Sequence, residues 1–215
     1  MSHASQFRAQ LCHSLITSVA RVKRDHGETS VPTRQEMVLM AHLMRRAGFG
    51  EPHADLIVHA SKGYESVVEE LLHPKDQPPI DEELMYRILP GYEGALGPPI
   101  SQADWMFRMV NTQRPLEEKI ALFWHQMFAT SNSKVDNPPE IGRQIAMFRE
   151  YGLGSYRDLL IELAKSPAMI FWLDNHGNHD GAINENWGRE LLELFSLGVG
   201  TVSYTHLTLP TSDLV

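Results

Sequence analysis

RPLEEKIALFWHQMFATS, residues 114–131, decides the fold class. Pro115 suits the first turn of a helix, where an amide N–H has no partner to lose, and Glu117 and Glu118 follow where the helix dipole favours acids. From Ile120 onward the segment is apolar on nearly every side, with Ala121, Leu122, Phe123, Trp124, Met127, Phe128 and Ala129 interrupted by His125 and Gln126. The expected helix, 116–130, is therefore central and buried.

The flanks have the same texture. Upstream, Thr33 and Glu36 make a T-x-x-E capping box for a helix carrying Met37, Met40, Ala41 and Met44 and closing at Gly48 and Gly50. Helices over 52–60 and 64–72 follow, separated by Gly63. Residues 73–99 are rich in Pro and Gly and read as an ordered wrapping loop with one short helix over 82–88. Ser101 caps a helix through Val110. Downstream, Asn137-Pro138-Pro139-Glu140 opens a helix that Gly152 and Gly154 end, and Ser155 and Ser166-Pro167 open two more. Asn184 caps the last, which runs to Leu197 and stops at Gly198. Near the start, Phe7, Leu11, Leu15, Val19 and Val22 recur at helical spacing before a polar linker over 23–30. Strand-type alternation is nowhere sustained and no repeat appears. The expected fold is all-α, an irregular multi-helix orthogonal bundle with one Pro/Gly-rich wrapping loop.

Composition narrows the function classes. The chain has 215 residues, 42% hydrophobic and 21% charged, with 15 Gly and 13 Pro, which fits one globular domain with a real core. With 19 Lys and Arg against 27 Asp and Glu, its net charge of −8 argues against nucleic acid and against an anionic membrane surface as partners. Cys12, the lone cysteine, permits neither an internal disulfide nor a cysteine-rich zinc site. The longest apolar runs, such as 168–173, are about six residues, far below the roughly 20 of a membrane span. Residues 11–20 are interrupted by Cys12, His13, Ser14, Thr17 and Ser18, so no export signal is legible and the default compartment is the cytoplasm.

The tail VSYTHLTLPTSDLV, residues 202–215, breaks with this acidic, helical texture. Read in one frame, the transposon end used in sequencing-library preparation encodes Val-Ser-Tyr-Thr-His-Leu-Thr-Leu-Pro-Thr, the string at 202–211. The expectation is that residues 201–215 are adapter-derived, that native sequence ends near Gly200, and that His206 and Asp213 carry no function.

His125 is the chemically notable residue of the central helix. A neutral imidazole in an apolar helix needs a hydrogen-bond partner or a metal. On the last helix Asn186, Glu190 and Glu193 share one stripe, beside a core stripe of Trp187, Leu191, Leu194 and Phe195. Helical bundles build metal sites from carboxylates on one helix and a histidine on another, so His125, Glu190 and Glu193, with Asp174, are the candidate catalytic and metal-ligating residues, and a divalent metal the cofactor they suit. The bland counterpart is a solvated acidic face with Arg189 paired to Glu185 or Glu193. The loop 174–181, DNHGNHDG, spaces oxygen donors like a calcium loop, but His179 stands where an EF-hand needs glycine, and a hydrophilic loop is the simpler reading. No GxSxG, P-loop, HExxH or dinucleotide glycine pattern is present. Arg45 and Arg46 close a helix and favour its C-terminal dipole. Trp105, Trp124, Trp172 and Trp187 read as core.

Five blocks taken together, HLMRRAGFG at 42–50, KGYESVVEELL at 62–72, the segment 114–131, LGSYRDLLIELAKSPAMIFWLDN at 153–175 and NENWGRELLELFSLGVG at 184–200, resemble the bacterial family known as domain of unknown function 1800. The resemblance spans about 36–200 and implies a further helical half beyond the final GVG, so the expected organisation is an N-terminal helix and linker over 1–33 and an incomplete helical domain over 34–200. It carries no established activity. Members are often exported and often encoded beside a second family resembling sulfatases, which implies a protein partner from such a neighbouring gene. The motif positions to watch are Arg45, Arg46, His125, Asp174, Asn175, Asn184, Glu185, Asn186, Arg189, Glu190 and Glu193. Two functions follow as expectations: a partner-dependent binding or assembly module, or a metal-dependent, hydrolase-like enzyme with a His/carboxylate site.

Overall fold

Thr33 starts the first helix with the predicted capping box: its hydroxyl accepts from the Glu36 amide at 3.3 Å, and the Glu36 carboxylate accepts from the Thr33 amide at 2.7 Å. The structure is a computed structural model that describes residues 31–88 and 98–198, so the expected first helix, Cys12 and the tail lie outside the described residues. Helix α1, Arg34–Ala47, buries Met40, Leu43, Met44 and Ala47, the one-face spacing of an amphipathic helix, and leaves Arg45 and Arg46 exposed in its last turn. After it come α2, His53–Lys62, and α3, Tyr64–Leu72. Gly63 between them has φ +93°, a conformation that side-chain-bearing residues rarely adopt. Val67 and Leu71 of α3 complete a first core with the four buried residues of α1, and Leu56, Ala60, Tyr64, Val68 and Leu116 pack around it.

The Pro/Gly-rich stretch holds a 3₁₀ turn, Pro74–Asp76, and α4, Glu82–Ile88, where the sequence placed a short helix; residues 89–97 lie outside the described residues. Helix α5, Pro98–Asn111, begins three residues before Ser101, because the two prolines fit a first turn that makes no use of their absent N–H groups. Arg108 of α5 reaches Glu82 of α4 at 2.7 Å and Asp104 at 2.9 Å, fastening the two.

Helix α6, Pro115–Met127, stops earlier than expected. Phe128 returns its N–H to the Trp124 carbonyl at 2.8 Å, Thr130 turns inward to donate to Gln144 Oε1 at 2.6 Å, and Ser131 accepts from the Ser133 amide to open the single-turn α7, Asn132–Val135. Then come α8, Pro138–Tyr151, α9, Tyr156–Lys165, and α10, Pro167–Trp172. Helix α11, Asn186–Glu193, is shorter than expected, with Glu185 at its N-cap. Ala121, Trp124, Phe128, Phe148, Leu159, Leu163, Met169 and Leu173 form the second and larger core. Helix α6 packs most extensively on α8, and Trp124 Nε1 donates to the carbonyl of Gly152 at the end of α8, at 2.9 Å.

The fold is all-α: eleven α-helices and no strand among the described residues, with one isolated bridge between His179 and Ala182. No helix among the described residues is long and apolar enough to cross a membrane. The central helix is not buried all round, since Phe123 and Met127 on its outer stripe are 47% and 51% exposed.

Candidate functional site

Glu118, Ala121 and His125 lie on one stripe of α6, three or four residues apart, with Phe128 just past the helix end, facing the seam with α5 and α8. Glu118 is a buried carboxylate, 4% exposed, and each oxygen has its own donor: Arg149 Nε of α8 at 2.7 Å and Trp105 Nε1 of α5 at 3.0 Å. About two turns along, the His125 ring stands edge-on to Trp105, centroids 5.3 Å apart, and 6.5 Å from Phe148. Its Nδ1 is buried without a hydrogen-bond partner, and burial pushes the imidazole below its ordinary range. His125 is therefore a neutral ring at neutral pH, held by aromatic edges.

Asp174 is held elsewhere. In the left-handed conformation after α10, it pairs with Lys134 of α7 at 2.8 Å, and the same ammonium donates to the Trp172 carbonyl at 2.6 Å. The polar loop beyond it is fastened from within. Asn184 and Asn186 side chains both donate to the Leu173 carbonyl at 3.1 Å, Asn184 Oδ1 accepts from the Asn186 amide at 2.8 Å, and Asn178 Oδ1 accepts from the Asn184 amide at 3.2 Å. His176 stacks on Phe171 and His179 Nδ1 meets the Gly177 carbonyl. Asn175 Oδ1 is buried without a partner. The NEN motif thus ties the start of α11 to the end of α10.

The carboxylates of α11 form a third location. Glu185 is exposed at the N-cap, while Arg189, Glu190 and Glu193 are half-buried. Glu190 walls a cavity of about 250 Å³ whose other sides are Met127, Ala129, Met169, Trp172, Leu173, Leu194 and Phe195. The structure therefore sets His125, Asp174 and the Glu190/Glu193 pair in three surroundings, and Arg45 and Arg46 in a fourth. Among the described residues, no three His, Cys, Asp or Glu side chains gather as a metal-binding group.

Sequence reasoning missed the Glu118 network and the cavity. A signal for the first existed, since Glu118 precedes His125 by seven residues and so shares its face, but as a first-turn acid it reads as a dipole partner.

The sequence itself matches a known family: the profile described as "Protein of unknown function (DUF1800)" covers residues 42–207. The chain belongs to this family. The DUF1800 match runs from within α1, through the Glu118 seam and α11, and covers the first residues of the tail. Neither a curated protein sequence nor a solved structure matches the chain. DUF1800 membership carries no reaction with it, so function has to be argued from the surfaces.

Proposed function

We propose that this DUF1800 domain is a partner-dependent binding or assembly module, and that its docking face is formed by the C-terminal end of α6 with α11. The observation that carries the reading is α11 itself. It is sharply amphipathic, yet none of its residues is fully buried, and Leu194 just past its end is 55% exposed. Beside it stand the exposed Met127 and the apolar cavity, deep enough for one inserted side chain. Covering the exposed halves of Phe123, Met127 and Leu194 would contribute roughly 2 to 4 kcal/mol at the usual value for a buried large apolar side chain. The occupant that fits is a protein segment with a leucine or aromatic anchor, and Glu190 on the cavity wall favours a Lys or Arg close to that anchor.

The test places a photo-crosslinking residue at Met127 in the full chain, expressed in its source cells, with Arg157, exposed on α9, as control position. A discrete protein adduct at Met127, absent at Arg157 and abolished by Leu194→Lys, is the expected result. Equal labelling at both positions would overturn the reading. The metal-dependent alternative rests on His125 with Glu190, Glu193 or Asp174. Elemental analysis of the full chain beside His125→Ala decides it: stoichiometric metal, lost in the variant, would put that reading in place of the binding module.

A further inference from the structure

A second concavity, about 450 Å³, opens on a different face, between α2 and the corner where α5 meets α6. We propose that it binds a primary ammonium or guanidinium group carried on an apolar stem, with Glu51 and Asp55 receiving the cation and Val58 and Val110 flanking the stem.

The size is that of an ordinary small-molecule site. The charge assignments select the ligand. Both fixed cations at the groove are already committed: Lys62 donates to Glu70 at 2.7 Å, and Arg114 donates twice, at 2.9 and 2.5 Å, to the Gln77 carbonyl. On the acidic side Asp55 makes no ion pair among the described residues, and the Glu51 carboxylate pairs with the His59 imidazole, Oε2 to Nε2 at 3.1 Å, while the Lys62 ammonium, paired with Glu70, acts on it only from beyond ion-pair distance. Burial pushes the Glu51 carboxyl above its usual range and the Asp55 charge adds to that push. A bound cation would offset the Asp55 repulsion and favour the charged carboxylate against its burial, whereas an anion would add to the repulsion. The apolar part has its own place, since Val58 on one wall and Val110 on the other are both exposed, at 57% and 76%. An ammonium alone leaves those walls wet; an alkyl chain alone leaves Asp55 without an ion-pair partner.

The experiment titrates the full chain with n-hexylammonium and with hexanoate, following heat and the His59 ring resonances by NMR. Saturable binding of hexylammonium that moves His59, with no binding of hexanoate, is expected. Glu51→Gln, which keeps the side chain's shape, should weaken hexylammonium by about tenfold or more, the loss of one charge-assisted contact. Val110→Lys, at an exposed position, should weaken it independently by placing a competing ammonium at the rim. Equal binding of hexanoate, absence of saturation, or an affinity unchanged in both variants would overturn the proposal. The docking face of α6 and α11 shares no residue with this groove, so failure here and failure there are distinguishable.

Discussion

Replacing Glu118 by Gln tests whether the seam between α5, α6 and α8 is held by a directional charge or by packing alone. The native carboxylate is 4% exposed and gives one oxygen to Arg149 and the other to Trp105. An amide of the same shape has a single oxygen, so whichever way it turns its NH₂ faces a donor. The loss is one charge-assisted hydrogen bond, about 1.5 to 3 kcal/mol, together with the counter-charge of a guanidinium whose side chain is only 18% exposed. Breaking a fully buried pair costs about 3 to 5 kcal/mol, and Arg149 retains a path to water, so the expected value is about 3 kcal/mol. At this chain length that is a fall of roughly 6 to 12 °C in Tm. Urea unfolding followed by far-UV ellipticity measures it. The double variant Glu118→Gln with Arg149→Met should cost less than the sum of the single variants by about 1 to 3 kcal/mol. A Glu118→Gln protein within about 0.5 kcal/mol of the parent, the range of ordinary surface changes, would refute the reasoning.

Gly152→Ala would place a Cβ 2.3 Å from the Phe148 carbonyl oxygen, 2.7 Å from Ile120 Cγ2 and 2.8 Å from Trp124 Cδ1, so it should destabilise by about 1 to 3 kcal/mol, read as a lower urea midpoint. An unchanged midpoint would show that α6 and α8 part freely there. Asn186→Ala removes one of two donors to the Leu173 carbonyl and should cost about 1 kcal/mol, with faster amide exchange confined to 174–186; the further change Asn184→Ala should add to it. Protection unaltered in the double variant would mean that the loop is held by something else. Because burial lowers the His125 pKa from 6.5, the unfolded chain takes up this proton first as pH falls. The stability contribution of neutral His125 is whole above about pH 6.5, declines as pH drops toward the folded value, and His125→Phe should flatten that part of the Tm-against-pH curve. A profile identical in wild type and variant would contradict the burial of the ring.

Local chemistry made the helices legible. Thr33 and Glu36, Pro115 and Asn137 each act through atoms within four residues of themselves, and each begins a helix where its own chemistry predicts. Ends decided by tertiary partners were not legible. The central helix stops at Met127 because Thr130 is drawn to Gln144 across the α8 interface, a contact invisible to a count of apolar residues. The site was half legible for the same reason. An imidazole in an apolar run announces that His125 is enclosed, but what encloses it, the Trp105 edge and Phe148, comes from two other helices. Glu118 lies 13 residues from one donor and 31 from the other, so no local spacing marks it. Likewise the asparagines of the 184–186 motif read as caps or ligands, and only the fold shows both aimed at a single carbonyl.

Helix α6 gives these observations a common geometry. Leu116 near its start packs on the first core, while Ala121, Trp124 and Phe128 belong to the second, so one helix joins both. Apolar attraction is non-directional, whereas the donors from α5 and α8 on the two oxygens of Glu118 are directional and resist a slide of α6 along its axis. Pro115 at the N-terminal end lines the cation groove and Met127 at the C-terminal end lines the apolar cavity, roughly 20 Å apart at 1.5 Å per residue. A slip of α6 would therefore misplace a wall of each surface at once, although no side chain lines both. It follows that Glu118→Gln should weaken binding at both ends together, whereas Leu194→Lys and Val110→Lys, changed at exposed rims, should each affect only their own. Independent loss in the rim variants with joint loss in the seam variant would identify Glu118 as the residue that sets the register of α6, a positioning role rather than a catalytic one.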